Sequence, residues 1–115
     1  MFIDDNARLR HMLDSARQAV RFVENKSRAD MDTNEMLALA IFRCLEVIGE
    51  AASRITKERR RELPQIPWST VISLRNRIIH TYFDIDLDIV WSTTTQNLPQ
   101  LIAELETIIT ANTEE

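Results

Sequence analysis

Arg75, His80 and Tyr82 are the densest concentration of potential chemistry in the chain, inside the run Arg75-Asn76-Arg77-Ile78-Ile79-His80-Thr81-Tyr82. Arginine is a permanent, forked cation suited to a phosphate. Histidine has an ordinary pKa of about 6.5, so one side chain can take and give a proton near neutral pH. Cleaving an RNA strand by its own 2′-hydroxyl needs those two services, proton transfer and stabilisation of charge on the phosphorane oxygens. Asn76 and Arg77 are placed to support phosphate binding. Asn76 can also reach His80 one helical turn away and orient its ring. The chain has no glycine loop to cradle ATP phosphates, and its two His and one Cys offer no zinc spacing. Neither a metal nor a cofactor is expected.

A plainer reading stands beside this one. Residues five apart on an ideal helix point about 140° away from each other, so Arg75 and His80 diverge if one helix carries both. They converge only if that helix ends near His80, or if two copies of the chain face each other across a dimer axis. Arg75 also falls on the apolar stripe of Trp68, Ile72, Ile79 and Tyr82. A guanidinium there needs an anion or a carboxylate. The bland outcome is a buried structural arginine paired with Glu46 or Glu50. His11 sits among charges with no second ligand near it and is expected to face solvent.

Elements able to position these residues are legible as hydrophobic periodicity. Leu9, Met12, Leu13, Ala16, Ala19, Val20 and Val23 make one stripe of a helix from about Asp5 to Asn25. Asp4 or Asp5 can accept the free amides at its start. A second helix opens at Asp32-Thr33, with Glu35 in its first turn. Its stripe runs through Leu37, Ile41, Cys44, Leu45, Ile48, Ala51, Ala52 and Ile55 to about Thr56. The basic cluster Lys57-Glu58-Arg59-Arg60-Arg61 reads as its last turns. Gly49 inside this helix costs about 1 kcal/mol and implies a close helix contact.

Pro64 and Pro67 break the chain, and Pro67-Trp68 suits the first turn of a third helix that carries the motif. Asp84 to Asp88 read as a turn into a fourth helix near Asp86, not as a strand. Pro99 kinks that helix or starts a fifth, and residues 110–115 are expected to fray. The fold class predicted is all-α, a bundle of four to five helices in one domain spanning residues 1–115.

Composition narrows the setting. The formal net charge is −4, which argues against indiscriminate nucleic-acid binding. Its distribution is lopsided: all 14 Lys and Arg lie in residues 1–83 beside 11 acids, and the remainder holds 7 acids and no base. A phosphate-binding surface fits the first part. No long apolar run occurs, Met1-Phe2-Ile3-Asp4-Asp5 lacks the basic start and apolar run expected of a secretory leader, and Cys44 is the single cysteine. A reducing cytoplasm with no membrane partner is the expectation.

Ile48-Gly49-Glu50-Ala51, Ile66-Pro67-Trp68, the run from Arg75 to Phe83, Asp84-Ile85-Asp86 through Val90-Trp91, and Asn97-Leu98-Pro99-Gln100-Leu101 occur in that order. Together they resemble the HEPN superfamily, and within it the HepT-like ribonuclease toxins paired with minimal nucleotidyltransferase antitoxins. Thr81 occupies the free position of the motif. The resemblance implies a small helical homodimer with motifs from both protomers lining a shared cleft. It implies metal-independent endoribonuclease activity on Arg75 and His80, and silencing by transfer of AMP to Tyr82. A non-catalytic module that binds nucleotides or partner proteins is the alternative.

Overall fold

The computed structural model describes residues 4–81 and 84–114. Three long helical rods form the body. The first, α1 (Asp5–Val23), starts where Asp4 accepts the Ala7 amide at 2.8 Å. It ends before Asn25, whose φ of 62° reverses the chain. Leu9, Met12, Leu13, Ala16 and Ala19 are its buried stripe. A short helix, α2 (Arg28–Thr33), was not anticipated. Its signature was present: Asp30 sits three residues after Ser27 and accepts the Ser27 amide at 2.7 Å.

The second rod, α3 (Glu35–Arg54), is capped by Asn34 and packs along α1. Ile41, Leu45, Ile48 and Ala52 lie at the centre of the core. Gly49 makes the close approach its position implied: a Cβ there would stand 3.2 Å from the Val71 carbonyl oxygen. The basic cluster does not continue α3. The chain turns at Ile55, which is buried, and Thr56 caps a separate helix, α4 (Lys57–Glu62). Asp5 fixes this corner by accepting from the Thr56 amide at 3.0 Å and its hydroxyl at 2.7 Å.

The third expected helix is split into α5 (Trp68–Ile72) and α6 (Leu74–Ile78), with Ser73 between them. From Ile78 the chain extends into a two-stranded antiparallel hairpin, β1 (Ile79–Thr81) and β2 (Asp84–Ile85). This corrects the reading of Asp84 and Ile85 as a turn. Alternation was present but too short to separate a strand from a loop.

Asp86 then caps α7 (Leu87–Ser92), which passes through a wide π segment, Thr93–Asn97, into α8 (Leu98–Glu114). The π segment precedes Pro99, so the rod runs through the proline without starting a separate helix. Thr94 and Thr95 hydroxyls bond back to the Val90 and Trp91 carbonyls at 2.9 and 2.8 Å. They satisfy acceptors around the widened turn. The tail expected to fray is instead helical, with α8 running as far as Glu114, the last described residue. Asn112 on α8 donates to Asn6 and accepts from Arg59, both at 3.0 Å. The all-α class is as predicted. The helices divide differently, into three rods, short connectors and the hairpin that carries His80. No helix among the described residues is long and apolar enough to cross a membrane.

Candidate active site

Arg75 projects from α6 and meets α3. Its Nε donates to Glu46 Oε2 at 2.9 Å, while Arg43 approaches the other Glu46 oxygen at 3.7 Å. Glu46 is thus the carboxylate partner that the plain reading allowed, and Glu50 instead pairs with Arg54 at 2.7 Å. The arginine is not buried, however: its side chain is 59% exposed. So open an ion pair adds only ~0–1 kcal/mol to stability. The contact uses Nε alone, and neither terminal nitrogen has a partner among the described residues. The side chain is held at its neck with its fork presented outward.

His80 stands on β1, beyond the end of α6, so the divergence imposed by a single helix does not apply. Its Nε2 lies 2.9 Å from Asp86 Oδ2. The other Asp86 oxygen accepts the Ile89 amide at 3.0 Å, and the Asp86 amide donates to the Ile78 carbonyl at 2.8 Å. The carboxylate is therefore clamped by the start of α7 and by the hairpin. Its pKa is lowered from 3.8, first by the hydrogen bond from His80 and then by the Ile89 amide. An ionised carboxylate can only accept, so His80 Nε2 carries the proton. In the neutral form of the ring this leaves the lone pair on Nδ1, which has no partner among the described residues. With half of the side chain exposed, that nitrogen is available to a ligand.

These groups fit phosphodiester chemistry: an oriented imidazole with a free basic nitrogen, and an oriented guanidinium with a free fork. Among the described residues no hydrogen bond or ion pair joins Arg75 to His80; each is held by its own carboxylate. A model of the family described as "Ribonuclease HepT-like" matches residues 12–108. The chain belongs to the HepT-like family.

HepT-like relatives cover most of the chain. "Putative RNase MJ1380" of Methanocaldococcus jannaschii is 33% identical over 105 residues, spanning 91% of this chain and 96% of that protein. "Putative RNase MJ1216" of the same organism is 35% identical, spanning 92% and 88%. "Probable ribonuclease HepT" of Thermococcus cleftensis is 31% identical, spanning 82% and 89%. No solved structure matches.

The remaining candidates of this HepT-like chain separate. Asn76 is exposed and does not bond His80, because the helix ends at Ile78 and Asp86 holds the ring instead. Arg77, two residues from Arg75, turns to the opposite flank of α6. There it borders a cavity of about 150 Å³ together with Thr93 and Asn97 of the π segment. Tyr82 lies outside the described residues. His11 faces solvent, as expected. Sequence reasoning missed Asp86 as the partner of His80. The signal was an acid six residues after the histidine, which also had helix-capping chemistry, and only the hairpin explains how it folds back.

Proposed function

We propose that the chain is an endoribonuclease toxin that cleaves RNA by metal-independent transesterification and is silenced by AMP transfer to Tyr82. The observation that carries the reading is the His80 imidazole, fixed by an ionised Asp86 through Nε2 and offering Nδ1. Membership of the ribonuclease HepT-like family supports the substrate class. The names of the relatives agree with it.

In this mechanism Nδ1 of His80 takes the proton of the RNA 2′-hydroxyl. The 2′-oxygen attacks phosphorus, the new P–O2′ bond forms, and the P–O5′ bond breaks. The leaving 5′-oxygen receives a proton from the imidazolium of a second copy of the chain. The products are a 2′,3′-cyclic phosphate and a 5′-hydroxyl. Arg75 places its free fork against the phosphorane oxygens, where charge builds. Asn76 contributes a phosphate contact from the same short helix, whereas Arg77 faces the opposite flank and takes no part in this step. A homodimer supplies the second imidazole, and RNA is the substrate.

Silencing follows from the same electrostatics. A nucleotidyltransferase antitoxin joins AMP from ATP to the Tyr82 phenol oxygen and releases pyrophosphate. The added phosphate competes with RNA phosphate for Arg75 and His80.

The deciding experiment is incubation of purified protein with cellular RNA in the presence of EDTA, beside a His80→Ala control. Ends bearing 2′,3′-cyclic phosphate or 3′-phosphate, and their loss in the control, are expected. Metal-dependent activity leaving 3′-hydroxyl ends, or a fully active His80→Ala protein, would overturn the mechanism.

A further inference from the structure

The basic cluster has no part in the chemistry above, yet the fold gives it a helix of its own. On α4, Lys57, Arg60 and Arg61 are spaced to share one face. Arg59 faces elsewhere, toward Asn112 at 3.0 Å and Glu62 at 3.6 Å. The three remaining cations have no carboxylate partner among the described residues. They line an open cleft of about 390 Å³ whose far wall is Trp68 and Ser69, the start of α5.

Two details show that this is more than a solvated helix face. Arg60 Nε is buried and has no acceptor among the described residues, so this guanidinium is seated in the fold with no protein group to neutralise it. Trp68 is half-buried, and its indole N–H donates to the Leu63 carbonyl at 2.9 Å, so its polar edge is committed. The ring borders the cleft as a fixed aromatic surface beside unneutralised cations.

We infer that this cleft holds single-stranded RNA, with backbone phosphates on Lys57, Arg60 and Arg61 and a base against Trp68. That pairing of a positive groove with an aromatic ring is the general chemistry of single-strand binding. A membrane surface fits less well, because α4 contains no apolar residue to insert. An acidic peptide would use the cations but not the ring. The inference rests on the nuclease reading for its substrate class, and it adds a place outside Arg75 and His80 where the strand is held.

The test uses the full chain and a short single-stranded RNA carrying 2′-O-methyl groups, which block cleavage and isolate binding. In a Trp91→Phe background, Trp68 is the remaining tryptophan, and its fluorescence is expected to be quenched on addition of the RNA. Lys57→Gln with Arg61→Gln alters two exposed side chains. It should weaken binding roughly tenfold at physiological salt and make the log–log salt slope shallower by about 1.4, two contacts at about 0.7 each. Circular dichroism checks that this variant remains folded. No quenching, together with wild-type affinity and slope in the double variant, would overturn the cleft. Equal affinity for a polyglutamate peptide would also overturn it, reducing the face to a general anion site. Quenching by the methylated RNA without cleavage of ordinary RNA would leave the cleft standing and remove the nuclease. Cleavage with no quenching and no effect of the double variant would do the reverse.

Discussion

The His80–Asp86 pair ties chemistry and stability to one hydrogen bond. Because the Asp86 carboxyl is held below its ordinary value, the folded state gains stability above that value and loses it as pH falls through the lowered one. Asp86→Asn should therefore lower the melting temperature at pH 6–7, and the gap from wild type should narrow as pH falls below the ordinary carboxylate value of 3.8. A calorimetric series in pH checks this; a constant gap would show that the charge is irrelevant. In cleavage assays the same change should reduce kcat more than KM, since it disturbs the tautomer and orientation of a proton-transfer group. His80→Ala should cost roughly 10²–10⁴-fold, the usual worth of such a group. Arg75→Lys should also be damaging, because an ammonium lacks the second arm of the fork. The exposed Arg75–Glu46 pair gives a contrasting expectation. Glu46→Gln should change stability by less than about 1 kcal/mol while slowing cleavage, as a positioning contact would. For regulation, Tyr82→Phe should keep much of the cleavage activity and resist silencing by a co-expressed nucleotidyltransferase. Mass spectrometry finding the AMP adduct elsewhere, with that variant still silenced, would refute the assignment.

At the scale of elements, breaks in regular structure do the positioning. The end of α6 at Ile78 frees His80 from the helix of Arg75, and the hairpin returns Asp86 to the imidazole. The turn at Ile55 separates the basic cluster from α3 and sets it against Trp68. Gly49 sets the closeness of α3 to α5, and thus helps to place α6 behind it. Alanine at Gly49 gains about 1 kcal/mol of helix propensity but pushes on the Val71 carbonyl. The two effects should nearly cancel. Valine has no such balance and should destabilise by about 1–3 kcal/mol. Urea unfolding of both variants measures this. A wild-type midpoint for Gly49→Val would show that α5 can move aside. The helix periodicities were legible because burial imposes them, as in Leu9, Met12, Leu13 and Ala16. The start of α7 at Asp86 was legible too, but the breaks at Thr56 and Ser73 were not, because these residue types are common both inside and between helices.

For the molecule as a whole, the proposed mechanism requires two imidazoles at one phosphate. The chain should therefore form a stable dimer at micromolar concentration with the Arg75–Tyr82 segments close together. Light scattering that reports a monomer, or a crystal dimer with the segments far apart, would contradict it. Charge separation along the chain also has a consequence at this scale. The acid-rich part from residue 84 onward is folded back as the third rod against α1, and Glu106 reaches Arg17 at 3.2 Å. Part of the negative charge is thus spent on the body of the protein, and the cleft at α4 keeps its cations unmatched.

Sequence by itself determined the all-α class, the stripes of the long helices, the tight contact at Gly49 and the residues able to do phosphate chemistry. Each is a local property, fixed by residue type and by spacing along one element. Tertiary structure decided which carboxylate holds which functional group: Glu46 for Arg75 across 29 residues, and Asp86 for His80 around a hairpin. It also decided that the basic cluster meets an aromatic ring. Such pairings depend on where helices stop and how rods pack, and several acids along the chain could have served equally well until the core fixed the distances.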